Sequence, residues 1–198
     1  MNARHIRHLV GWGTLGAFLC GVAWAQSPAT QATGPAQAAS KEPEASDWYA
    51  GRELQTGRWT GGGSIGFLGS TPDGTALGTN AQVEYFVNDR VSVGPLLQVG
   101  VTDDMSLIGL SGQGKYWIDL PGTGGRGRVA LQSGVGFAHA DFRRDDTSWL
   151  VPVGIGYDYA LNDSIDLTGT FLLNFTNLHT GGGSGADVMP GLTFGMRF

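Results

Sequence analysis

From residue 58 to residue 198, apolar side chains recur at every second position, with no helical period. A period of two belongs to β-strands with two unlike faces. Eight segments follow it: 58–68, 77–87, 91–101, 106–120, 128–140, 148–161, 165–177 and 188–198. Turn signals separate several of them, such as "NDR" at 88–90, "TDD" at 102–104, "PGTGGRG" at 121–127 and "NDS" at 162–164. One face of each segment is broad and apolar, as in Trp149, Val151, Val153, Ile155, Tyr157 and Tyr159. The other is small or neutral-polar: Thr60, Gly62, Ser64 and Gly66 in the first segment, Gly109, Ser111, Gln113 and Lys115 in the fourth.

The two faces constrain the solvent on each side. A wet sheet face carries many Lys and Glu. Here charged residues make up only 15 % of the chain, while 34 of 198 residues are glycine. A face of Gly, Ser, Thr and Gln suits a narrow interior, and an eight-stranded barrel is just wide enough for its side chains to fill. The apolar face then needs lipid. Alternation of apolar-out and polar-in over segments of about ten residues marks a transmembrane barrel. Closure pairs every backbone polar group between strands, as lipid requires. The expected fold is therefore all-β, an eight-stranded antiparallel up-and-down transmembrane β-barrel over residues 56–198. The competing reading is a soluble aromatic-rich barrel or sandwich.

Aromatic residues sort by height and by face. Trp59, Tyr85, Tyr116, Tyr157, Tyr159 and Phe198 fall on outward positions at the strand ends nearest the C-terminus. Phe67, Phe137, Trp149 and Phe175 fall on outward positions towards the opposite rim. Two such girdles are what interfacial anchoring predicts.

Ahead of the barrel, residues 1–25 have the form of an export signal. Arg4 and Arg7 precede an uncharged run from Leu9 to Ala25, and Ala23-Trp24-Ala25 supplies an A-x-A cleavage site. Residues 26–55, rich in Ala, Gln, Pro and Ser, are expected to be a disordered periplasmic linker. With the signal removed, both termini lie in the periplasm. Cys20 falls within the signal, so the mature chain is expected to need no disulfide. A formal net charge of −5 and no long basic stretch exclude nucleic acid as a partner.

The region from about residue 57 to 198 resembles the small outer-membrane β-barrel proteins of Gram-negative bacteria, the opacity-protein and OmpA-like group. "YFVNDRVSVG" at 85–94 and "YALNDSIDLTG" at 159–169 look like that family's strand–tight turn–strand unit, and "MPGLTFGMRF" looks like its terminal strand. The resemblance implies that Leu192, Phe194, Met196 and Phe198 form an outward strip read by the barrel-assembly machinery. It also implies outer-membrane lipids and lipopolysaccharide as surroundings.

Candidate chemistry is sparse. Glu84, Lys115, Asp158, Asp166 and Arg197 fall on inward positions, and buried ions persist only when paired. Arg197 is expected to pair with a carboxylate such as Glu84 or Asp158. Such a network either fills the barrel as structure or gates a small conducting path. Outer-membrane barrels that deacylate or acylate lipid A use a His with a Ser. Here His139 lies near Asp141, and His179 near Ser184 and Asp187, in a segment expected to be a glycine-rich loop. External segments are expected at 69–76, 102–105, 141–147 and 178–186. In them Arg143 and Arg144 can meet lipopolysaccharide phosphates, and Asp103, Asp104, Asp141, Asp145 and Asp146 can meet divalent ions or simply solvent. No metal-ligand spacing, nucleotide loop or nucleophile elbow occurs, so no catalytic residue, metal or cofactor is expected. The expected role is structural or surface-interacting, with room for an extracellular ligand that the sequence does not name. The alternatives are a small-solute or ion pore and a lipid A-modifying enzyme.

Overall fold

The structure, a computed structural model, describes residues 56–181 and 184–198. The export signal with Ala23 and Ala25, and the linker at 26–55, lie outside the described residues. Eight strands form: β1 (Trp59–Thr71), β2 (Gly74–Asn88), β3 (Val91–Val101), β4 (Ser106–Asp119), β5 (Gly127–Asp141), β6 (Asp146–Ala160), β7 (Asp166–Gly181) and β8 (Ser184–Arg197). Each pairs antiparallel with its chain neighbours, and β8 closes on β1. The result is a closed up-and-down barrel with no sheet edge left open. The closing seam runs from Gly62 opposite Arg197 to Leu68 opposite Gly191. Gly61 and Phe198 extend it by exchanging both backbone hydrogen bonds at 2.8 Å.

Register keeps the two faces apart around the whole circumference. Inward residues oppose inward residues: Thr60 opposite Glu84, Ser92 opposite Lys115, Arg128 opposite Asp158, Asp166 opposite Arg197. The outward face exposes large apolar side chains on every strand, including Phe67, Val83, Leu97, Leu110, Val135, Ile155, Phe171 and Phe194. A soluble protein rarely leaves a contiguous apolar surface of that extent open.

Two expectations need correction. The inward face is not uniformly small and polar. At the rim away from the C-terminus the lumen is filled by Leu68, Met105, Leu107, Leu150, Leu178 and Met189, with Phe142 packed against them. At the C-terminal rim Phe86 and Trp117 are buried inside. Where side chains from facing strands meet across the lumen, apolar groups pack there as readily as in a core. Two external segments are also shorter than expected: β1 and β2 are joined by residues 72–73 rather than 69–76, and β5 and β6 by 142–145 rather than 141–147, while β3 and β4 are joined by 102–105 as expected. Strand pairing continues through most of 69–76 and 178–186 and takes in Asp146 and Thr147, because the backbone groups there still satisfy the ladder. His179 accordingly lies in strand β7 rather than in a loop.

Several inward glycines permit the tight curvature. A Cβ on Gly136 would lie 2.0 Å from the Leu110 carbonyl oxygen, and one on Gly66 would lie 1.9 Å from that of Leu192. Neighbouring strands approach there so closely that no side chain fits.

Candidate functional site

The barrel interior has three levels. At the C-terminal rim, the strands bring Glu84, Lys115, Asp158, Asp166 and Arg197 into one cluster. Lys115 Nζ donates to Glu84 Oε1 at 2.6 Å and to Gln82 Oε1 at 2.9 Å. Ser92 Oγ donates to Glu84 Oε2 at 2.8 Å and accepts from Trp117 Nε1 at 2.9 Å. The Arg197 guanidinium meets Asp158 at 2.8 Å and Asp166 at 2.7 Å. It lies over the Trp117 ring, 4.5 Å from its centroid, and 5.8 Å from that of Phe86. On Trp117 a second cation also stacks, Arg128, at 5.3 Å. Arg128 in turn reaches Asp119 at 2.8 Å and donates to the Asp89 carbonyl at 2.6 Å. Desolvated cation–π contacts of this kind are worth about 2 kcal/mol or more each.

Sequence reasoning missed Arg128, Trp117, Phe86 and Ser92. The signal was present: Phe86 and Trp117 share parity with Glu84 and Lys115, two residues on. Arg128 supplies the third cation, so the buried charges at this level balance as Lys115, Arg128 and Arg197 against Glu84, Asp158 and Asp166. All but Asp166 are buried, and Asp166 is nearly so.

Above this cluster lies a small polar chamber. Ser64, Asn80, Gln82, Gln113, Gln132, Thr168 and Thr170 contribute to its lining, with Leu96 and Leu172. It has room for about one water molecule. The Gln113 side-chain nitrogen facing it has no protein partner. The apolar filling around Leu150 and Leu178 forms the third level.

The other expected positions are separate from this interior. Trp59, Tyr116, Tyr157, Trp149 and Phe175 stand exposed on the outward face, and Tyr85 and Tyr159 are half-covered there. Trp59 and Tyr85 are register partners with ring centroids 5.1 Å apart. Leu192, Phe194, Met196 and Phe198 all project outward along β8, with Phe198 70 % exposed. His139 meets Thr147 Oγ1 at 2.8 Å, and the His179 ring meets the Asn177 carbonyl at 3.1 Å. Asp146 accepts from the His179 backbone amide at 2.6 Å rather than from its ring. Both histidines point outward. Among the described residues no group of three or more His, Cys, Asp or Glu is placed to hold a metal.

Closed topology, strand number and short turns together define a fold that other chains share. The fold resembles that of Neisserial surface protein A. The two superpose with a TM-score of 0.54 at 15 % identity, over 70 % of this chain and 94 % of the other. The N-terminal β-barrel domain of Pseudomonas aeruginosa OprF aligns at 14 % identity, over 71 % of this chain and 97 % of that one, with a TM-score of 0.46. The attachment invasion locus protein Ail of Yersinia pestis aligns at 11 % identity, over 71 % and 96 %, with a TM-score of 0.44. No protein-family model matches the sequence, and no curated protein matches it.

Proposed function

We propose that this chain is an integral outer-membrane β-barrel protein with a plugged lumen and a structural or surface-interaction role. The observation that carries the reading is the outward face: large apolar side chains stand exposed around the full circumference of a closed barrel. Only an apolar solvent makes that arrangement stable, at about 25 cal/mol per Å² of apolar surface removed from water. In this reading residues 1–25 are removed on export, 26–55 remain in the periplasm, and both termini lie on that side. The strip Leu192, Phe194, Met196 and Phe198 addresses the chain to the barrel-assembly machinery. Outer-membrane lipid and lipopolysaccharide are its constant neighbours, and Arg143 and Arg144 on the 142–145 turn are the cations placed to meet phosphate.

The lumen reading rests on two unlike seals: ion pairs stacked on an indole at one end, packed Leu and Met at the other. Membrane fractionation with a heat-modifiability gel tests location and fold together. A folded barrel is expected in the outer-membrane fraction, migrating differently before and after boiling. Recovery of the native mature chain as a detergent-free soluble monomer overturns the reading. Current steps in planar bilayers would replace the plug with a small pore, and a changed lipid A mass profile would replace it with an enzyme.

A further inference from the structure

Hydrogen-bonded ladders join only neighbouring strands, so each ladder fixes one local register. The stagger of a closed barrel is the sum of all of them, and an error anywhere appears at the closing seam. Alternation of faces forbids slips of one residue, because these turn every side chain inside out. Slips of two residues keep both faces intact, so the apolar pattern cannot exclude them.

At the C-terminal rim the closing strand β1 is poorly equipped to exclude them itself; its own register contacts lie further along, where Ser64 Oγ donates to Thr193 Oγ1 at 3.1 Å and Gly66 meets the Leu192 carbonyl. Its first eight residues include Gly61, Gly62, Gly63 and Gly66, and glycine-rich strands specify register weakly. The interior cluster draws side chains from β2 to β8: Glu84 and Phe86, Ser92, Lys115 and Trp117, Arg128, Asp158, Asp166 and Arg197. At that level β1 offers Thr60 and Gly62, and none of these contacts involves it.

Arg197 bridges the gap. It sits on β8 opposite Gly62, yet reaches past β1 to the Phe86 ring on β2. It also crosses the lumen to Trp117 on β4, the strand diametrically opposite β8. Its carboxylate partners on β6 and β7 hold it from the other side. A two-residue slip at the seam moves β2 against β8 by roughly 7 Å along the strand. That distance separates the guanidinium from the Phe86 ring, whereas Trp117 stays tied to β8 through the ladders of β5, β6 and β7.

We infer that Arg197, stacked on Trp117 and Phe86, is the positioning residue that sets the register of the β1–β8 seam. The inference rests on the closed barrel and is independent of its location. Buried ionic groups add little net stability but can select one packing over its alternatives, and this cluster is placed for that use.

Disulfide trapping tests it. With Cys20 replaced by Ser, cysteine pairs are placed on outward seam positions of the full chain, refolded and oxidised. One pair is native, Ile65→Cys with Phe194→Cys, whose residues are register partners. Two are shifted by two residues, Gly63→Cys or Phe67→Cys with Phe194→Cys. With Arg197 present the native pair is expected to cross-link at least ten times more than either shifted pair. In Arg197→Met a shifted pair is expected to rise to a comparable yield, and Arg197→Lys is expected to restore part of the native preference. An all-native pattern in Arg197→Met overturns the inference, even if that barrel melts earlier, since the cluster then only stabilises. If Arg197→Met does not fold, the same pairs are read in Phe86→Leu, where an all-native pattern overturns it equally.

Discussion

At the scale of single residues, two glycines on neighbouring strands play unlike parts. Gly136 faces the Leu110 carbonyl across β4, and a methyl group there would collide with backbone that cannot swing aside. Gly112 on the neighbouring strand points outward, and a methyl group added to it would meet nothing within 4 Å. Gly136→Ala is therefore expected to cost about 1–3 kcal/mol of unfolding free energy. Gly112→Ala is expected to stay within about 0.5 kcal/mol of the parent. Urea titration of barrels refolded in detergent, followed by tryptophan fluorescence, checks both. Equal midpoints for the two variants would mean that the close approach is relieved by backbone shifts. Glycine content alone did not separate these roles. Parity assigns each glycine a side of the wall, and the approach of the neighbouring strand decides whether a side chain fits.

At the scale of strands, most of the architecture was legible. The eight segments, their order and their two faces follow from alternation and turn chemistry, which are local. Strand ends were not legible. Residues 178–181 and 184–187 look like loop because glycine and small polar residues dominate the stretch, yet they continue the β7–β8 ladder, with Leu178 opposite Ala186. Pairing at the ends depends on the neighbouring strand, which a linear pattern does not contain. The same blind spot hid the interior apolar residues: Leu150 and Leu178 matter only once the barrel shows them meeting. The charged cluster was half legible. Parity placed five ionic residues inside, but their partners depend on which strands face one another across the lumen. One consequence is testable on the outward face. Val153 lies near the middle of β6 and points outward. If lipid bathes that face, Val153→Lys is expected to lower stability by about 2–4 kcal/mol in refolding into phospholipid vesicles. A neutral result there would argue against a lipid-facing wall.

At the scale of the whole molecule, the proposed plug has two chemically independent parts. The ion-pair cluster answers to charge, the Leu and Met filling to packing. A planar bilayer holding the parent protein is expected to show no current steps. Arg197→Met alone is expected to stay closed as well, because the filling around Leu150 and Leu178 still blocks the far end. Discrete steps from that single variant would place the whole barrier in the ionic cluster.

The hairpins at the rim remote from the C-terminus carry a practical corollary. Two residues link β1 to β2 and four link β5 to β6, and even within the latter the Arg144 amide is bonded to Thr180. Proteases need several residues of slack, unpaired main chain to seat in their clefts. If this rim faces out of the cell, as proposed, trypsin added outside intact cells is expected to leave the barrel uncut, although Arg143 and Arg144 offer it the right chemistry. Anyone wishing to tag the exposed end will have to insert slack there first.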